Sequence, residues 1–224
     1  MIDWSEIRTV LLDMDGTLLD LHYDNHFWME YLPQAYARER GLPEAQARSQ
    51  LDSTMASIRG SLPWYCLDYW SRELEINIPA LKRELRHMIR ARPYTLEFLR
   101  WLHGTDMAVL LVTNAHRETL NIKMGEVDIS EWFDRLVVSH DFAVPKEERR
   151  FWERLQELHP FDPAQTLLID DNESVLDAAR DYGIRHLLTM LQPDSSQQKR
   201  LDTRFPGIHH FDEIMPEVRE MAAP

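Results

Sequence analysis

Val10-Leu11-Leu12-Asp13-Met14-Asp15-Gly16-Thr17 is apolar for three residues and then meets two carboxylates one residue apart, followed by a glycine. An unbroken apolar run suits a strand of a parallel sheet, which is covered on both faces, and it leaves the acids where that strand emerges at its carboxyl end. Open α/β sheets do their chemistry at that edge. On a short loop leaving the strand, residues two apart need not point to opposite faces, so Asp13 and Asp15 can address one pocket while Gly16 lets the backbone turn close by. A polar turn that merely ends a strand uses the same residue types. The later segments decide between the two.

After Thr17 the strand pattern lapses and helical patterns follow, separated by Gly and Pro. The spacing predicts helices over Asn25 to Arg40, Pro43 to Ile58, Trp64 to Leu74 and Pro79 to Ile89, which together read as a lid. Alternation then resumes. A helix is expected over Pro93 to His103, a strand over Met107 to Val112, a short helix from His116 to Met124 and a strand at Leu136 to Val138. Phe151, Leu155 and Leu158 fall at helical spacing, Thr166 to Ile169 reads as a strand, and Val175, Ala179 and Tyr182 stripe a helix that Gly183 ends. Ile184 to Leu188 is a fifth strand, Gln192 to Gly207 a loop, and Phe211 to Met221 a terminal helix. The expected class is α/β: a doubly wound, parallel-sheet, Rossmann-like core from residues 1–19 and 91–224, with an inserted helical cap over 20–90.

A chain of 224 residues has room for such a core and an insertion. Its formal charge of −13 repels nucleic acid backbones and anionic membranes, which removes both as expected partners and leaves a small anionic ester that arrives with a cation. The single cysteine, Cys66, rules out an intrachain disulfide and suits a reducing compartment. No stretch has the apolar length to span a bilayer, and Met1 to Glu6 lacks the features of a signal peptide, so a cytoplasmic location is expected.

Three further segments end in chemistry-bearing residues. Leu111-Val112-Thr113-Asn114 delivers a hydroxyl and an amide to the carboxyl edge, where they can hold phosphoryl oxygens without adding negative charge. Lys146 follows Pro145 shortly after the third strand, and a site holding carboxylates and a phosphate needs such a fixed cation. Leu168-Ile169-Asp170-Asp171-Asn172 ends the fourth strand in a second acidic pair. Two acidic pairs at one edge repel each other unless a cation joins them, and hard oxygen ligands suit Mg²⁺. Each segment alone also reads as an ordinary strand end or helix cap.

In order and placement these four segments resemble the motifs of the haloacid dehalogenase-like hydrolases, most of which are magnesium-dependent phosphatases. The resemblance implies that Asp13 is the nucleophile and Asp15 the general acid and base. It also implies that Thr113, Asn114 and Lys146 bind phosphate, and that Asp13, the Asp15 carbonyl and Asp171 hold Mg²⁺, with Asp170 a ligand or one shell out. An acid two positions after the nucleophile separates the phosphotransferases from the dehalogenases, so Asp15 argues against carbon–halogen hydrolysis.

Within this superfamily, Leu18 to Leu21, Asp24 to Trp28, Trp64 to Ser71 and Thr113 to His116 look like the GMP/IMP 5′-nucleotidases. That likeness implies a purine mononucleotide as substrate, with Trp64, Tyr65 and Tyr69 as candidates to meet the base, although the same aromatics would serve as the core of a small cap. Two other readings stay open. One is a phosphoglycolate or sugar phosphate phosphatase, or a phosphomutase, and the other is a binding protein that keeps the fold without the chemistry. Oligomeric state is not legible in the sequence.

Overall fold

The computed structural model describes residues 2–216. Six strands, β1 (Thr9–Leu12), β2 (Ala108–Thr113), β3 (Arg135–Val138), β4 (Thr166–Ile169), β5 (His186–Met190) and β6 (Gly207–Ile208), form one sheet in the order β3-β2-β1-β4-β5-β6. Every neighbouring pair is parallel. β1 is central, with Leu12 in register with Leu111 on one side and Ile169 on the other, so the residues that follow these strands leave the sheet at one edge.

The apolar run of β1 is continuous because both faces are covered. Val10 and Leu12, with Val109, Leu111, Leu167 and Ile169, pack into one apolar layer. Leu11, with Leu110, Val112 and Leu168, packs into the opposite layer. Full burial of such a side chain is worth about 1.5–3 kcal/mol, so the residues on both faces of β1 help to hold it at the centre of the sheet.

Helices are inserted between β1 and β2. α1 (His22–His26) runs through a π turn at Phe27–Tyr31 into α2 (Leu32–Arg40), making one helical run that starts before the expected Asn25 because the Asp20 carboxylate accepts from the His22 N–H at 3.0 Å. The π turn lies just ahead of Pro33, whose missing N–H breaks the regular ladder. α3 (Glu44–Ile58) follows. The helix expected over Trp64 to Leu74 is two, α4 (Leu62–Tyr65) and α5 (Leu67–Leu74), split where Cys66 is extended and its sulfur accepts from the Tyr69 N–H at 3.4 Å. α6 (Ile78–Glu84) ends earlier than expected, and Arg86–Met88 is a separate 3₁₀ turn. Trp70 is buried at the centre of this cap, its ring 5.4 Å from those of Trp28 and Tyr69.

Four more helices flank the sheet: α7 (Thr95–His103), α8 (Arg117–Met124), α9 (Arg149–Leu158) and α10 (Glu173–Tyr182). β5 starts two residues later than expected. Gly183, at φ +122°, ends α10, and Ile184 and Arg185 are spent closing that helix end, their N–H groups donating to Ala179 and Pro163. β6 was expected to be loop, and at two residues it is too short to show a pattern. The expected terminal helix is a single 3₁₀ turn, Phe211–Glu213, within the described residues, and the rest of that expectation lies outside them. No helix among the described residues is long and apolar enough to cross a membrane.

Candidate active site

The carboxyl edge of β1, β2 and β4 gathers residues that lie far apart in the chain. Lys146 is fully buried, and its ammonium donates to Asp13 Oδ1 at 2.5 Å, Asp170 Oδ2 at 2.7 Å and the Val112 carbonyl at 3.0 Å. All three of its protons are used. Asp170 is equally committed, since its Oδ1 accepts from the Asn172 N–H at 2.9 Å.

Asp171 differs. Its carboxylate has Arg200 at 4.0 Å, and one oxygen from each of Asp13, Asp170 and Asp171 lies within 4.8 Å of the others. Three hard oxygen donors that close, beside a lysine already shared by two of them, suit a small divalent cation. Gly16 makes the approach possible: at φ +83°, a Cβ there would fall 2.7 Å from the Asp171 carboxyl carbon. Burial pushes the Asp171 carboxyl well above the usual range, and the charges of Asp13 and Asp170 add to the effect. Burial likewise pushes Asp13 up to about 6, against the pull of Lys146.

Thr113 is buried at the end of β2, and its hydroxyl oxygen accepts from the Ala115 N–H at 3.0 Å, which leaves the hydroxyl proton to donate. Asn114 is engaged at both ends of its amide: Oδ1 accepts from the Lys146 N–H at 2.9 Å, and Nδ2 donates to Glu147 Oε2 at 2.8 Å. Glu147, which the sequence reading passed over, also accepts from the cap, from the Tyr65 hydroxyl at 2.6 Å. A single carboxylate therefore fastens the cap to the loop that carries Lys146.

Two adjoining cavities share part of their walls here. One, of about 100 Å³, is walled by Asp13, Thr113, Lys146, Asp170 and Asp171. The other, of about 180 Å³, lies under the cap against Trp28, Trp64, Trp70, Met55 and Leu67. Asp15, Tyr65 and Ala115 line both. Of the aromatics expected to meet a substrate base, Trp64 and Tyr65 face this space. Tyr69 packs edge-on against Trp70 at 5.4 Å and is absent from the cavity wall.

Asp15 points towards the cap cavity and accepts a hydrogen bond from Lys123, a buried residue of α8 that the sequence reading missed. Burial pushes the Asp15 carboxyl up to about 6, with Lys123 opposing and Asp24 and Asp13 adding to the rise. His116, a residue that can cap a helix or touch phosphate, caps α8, its Nδ1 accepting from the Glu118 N–H at 3.4 Å. Asp177 pairs with Arg180 at 2.8 Å and with Arg204, away from these cavities.

Residues 7–183 match the family model described as haloacid dehalogenase-like hydrolase. The GMP/IMP nucleotidase YrfG of Escherichia coli (strain K12) is 36% identical over 217 residues, 97% of this chain and 98% of that protein. A phosphoglycolate phosphatase of Vibrio vulnificus (strain CMCP6) is 25% identical over 194 residues, 80% of this chain and 81% of that protein. Among solved structures, a HAD phosphatase from Thermococcus onnurineus aligns with a TM-score of 0.74 at 18% identity, over 89% of this chain and 93% of that one. The L-2-haloacid dehalogenase of Xanthobacter autotrophicus aligns at 0.52 with 14% identity, over 85% of this chain and 80% of that one. At such identities the likeness is one of fold, and it spans two chemistries, so the reaction has to be argued from side chains.

Proposed function

The chain belongs to the haloacid dehalogenase-like hydrolases, and on that premise we propose that it is a cytoplasmic, Mg²⁺-dependent phosphatase that removes the 5′-phosphate of purine mononucleotides such as GMP and IMP. The observation that carries this reading is a pair of adjoining cavities: a carboxylate-and-lysine pocket of about 100 Å³ beside a space walled in part by three tryptophans, with Asp15, Tyr65 and Ala115 on the wall of both. A flat purine ring can lay its π face on such walls, and stacking on an aromatic side chain is worth about 1–3 kcal/mol per base. The likeness to a GMP/IMP nucleotidase over nearly the whole chain supports the same substrate class. Residues 20–90 act as the cap and residues 1–19 and 91–224 as the catalytic core.

The acidic cluster fits a divalent metal. Asp13 and Asp171 would hold it together with the Asp15 carbonyl, and Asp170, which also anchors Lys146 and accepts from the Asn172 N–H, would stand as a further ligand or one shell out. When bound, Mg²⁺ screens the phosphate from the carboxylates and stabilises charge on the transferring oxygens.

The chain's own groups then account for both half-reactions. A carboxylate oxygen of Asp13 bonds to phosphorus as the bond from phosphorus to the ester oxygen breaks, and Asp15 gives that departing oxygen its proton. Asp15 next takes a proton from water as the water oxygen bonds to phosphorus and the aspartyl phosphate breaks, freeing Asp13 and inorganic phosphate. Lys146 holds Asp13 in line, and the Thr113 hydroxyl donates to a phosphoryl oxygen. Asn114 works chiefly by fixing the Lys146 backbone.

Released phosphate from a panel of esters with Mg²⁺ tests this. GMP and IMP are expected to give the highest kcat/KM. Higher values for phosphoglycolate or a sugar phosphate would overturn the nucleotidase reading, and no hydrolysis of any ester would overturn the enzymatic one.

A further inference from the structure

Lys123 lies on α8 in the core, 1% exposed, and its ammonium donates to both Asp15 Oδ1 and Asp24 Oδ2. The other oxygen of Asp24 accepts from the ammonium of Lys82 at 2.8 Å, and Lys82 is also 1% exposed. Lys82 sits 4.6 Å from the ring centre of Phe27 and 4.9 Å from that of Tyr23, while the Tyr23 hydroxyl donates to the Lys82 carbonyl at 2.8 Å. Asp15, Lys123, Asp24 and Lys82 thus form one row of alternating acidic and basic side chains, the lysines buried and the aspartates half-buried. Asp15 and Lys123 come from the core, Asp24 and Lys82 from the helical insert.

Stability does not call for this arrangement. Taking a charge out of water carries a penalty of several kcal/mol per ion, and packed apolar side chains of the same volume hold a fold at least as well. The chain of charges does fix a direction. Asp15 is on a loop, with a carboxylate that could rotate about its own bonds, and a proton donor must lie about 2.6–3.2 Å from its acceptor to work. Lys123 takes Oδ1 of Asp15 and leaves Oδ2 for the substrate side, on a residue that lines both cavities.

We infer that Lys123 is a positioning residue for Asp15, turning that carboxylate towards the leaving oxygen of the ester, and that Asp24, backed by Lys82, makes the placement depend on the cap being seated. This rests on the reading of Asp15 as the acid–base group. A misplacement of 1 Å can lower a rate by about 10²-fold, which sets the expected size of the effect.

The test separates proton delivery from everything else. With enzyme in excess and Mg²⁺ present, a single turnover reports the phosphorylation of Asp13, read as guanosine from GMP or as nitrophenolate from p-nitrophenyl phosphate. Nitrophenolate leaves without a proton and an alkoxide does not. Lys123→Met is expected to slow guanosine release by about 10²-fold with nitrophenolate release within about threefold of the parent, and with KM for GMP little changed. Equal losses on both esters, or no loss on GMP, would overturn the assignment. Where Lys123→Met does not fold by circular dichroism, Asp24→Asn makes the same comparison from the cap side, with a loss of about tenfold expected on GMP alone; equal losses, or none, would again overturn it. If GMP is not hydrolysed, the nucleotidase reading falls, and phosphoglycolate supplies the alkoxide ester by which Lys123 is judged.

Discussion

The Lys146 ammonium lies 2.5 Å from Asp13 Oδ1, while Asp170 and the Val112 carbonyl take its other two protons. The lysine is raised above its ordinary range: burial works against the charge, and the charges of Asp13 and Asp170 outweigh it.

Lys146→Met removes that charge while keeping most of the volume. Breaking a buried pair by deleting one partner typically costs about 3–5 kcal/mol, because the carboxylates are left facing one another. The variant is expected to melt well below the parent without metal, to regain part of the difference on adding Mg²⁺, and to lose phosphatase activity by at least about 10²-fold. Calorimetry with and without Mg²⁺ measures the first two, and phosphate release the third.

A pH dependence follows from the same groups. Asp13 and Asp15 are pushed up to about 6 by burial, and Asp171 is pushed well above the usual carboxylate range by burial and its acidic neighbours. A raised carboxyl keeps its proton where the unfolded chain has already lost it, so between about pH 4 and about pH 6 the folded protein binds more protons and stability falls as pH rises. His140, held down to about 4 by burial and by His116, acts in the opposite sense over the same range. Asp24 does not enter this window: burial raises it, but Lys123 and Lys82 prevail and bring it to about 2. Mg²⁺ binds the deprotonated carboxylates, so the gain in Tm on adding it is expected to grow from about pH 5 to about pH 7, and His140 cancels from that difference. A gain that is flat or shrinks over that range contradicts the metal assignment.

Gly16→Ala tests the closeness of the first and fourth segments. The new methyl would fall 2.7 Å from Asp171 and 3.0 Å from Pro193, at a φ of +83° that L side chains avoid. The strain falls on the loop rather than on β1, so the variant is expected to fold and to need at least about tenfold more Mg²⁺ for half-maximal activity. Titration of activity against Mg²⁺ decides it.

Why some of this was legible in sequence and some was not comes down to where each residue stands. Asp13, Thr113 and Asp170 each follow directly on a run of buried apolar residues, and parallel strands in register bring such run-ends to one edge. Lys146 stands on a loop, but between a Pro and an acidic run it still showed as an isolated cation. Lys123 and Glu147 gave no such sign, one sitting in a polar-looking helix and the other in a charge run. A usable signal was there for the buried lysines: Lys82 falls four residues after Ile78 and Lys123 three after Leu120, so each lies on the buried stripe of its helix. The helices of the insert are legible in outline, yet Asp20 and Cys66 alter their bounds and Pro33 goes with an internal π turn, local backbone choices that periodicity does not report.

The aromatic residues of the cap can be told apart by substrate. Trp64 lines the larger cavity, whereas Tyr69 packs against Trp70 and is not on the cavity wall. Trp64→Ala is expected to raise KM for GMP by about 10- to 100-fold, the equivalent of one lost stacking contact, and to leave KM for phosphoglycolate, which has no base, within about threefold. Tyr69→Ala should lower the melting temperature through its lost packing on Trp70 while leaving the ratio of the two KM values as it is in the parent. If Tyr69→Ala shifts that ratio as far as Trp64→Ala does, the base does not lie where the cavity puts it, and the selectivity arises from the cap as a whole.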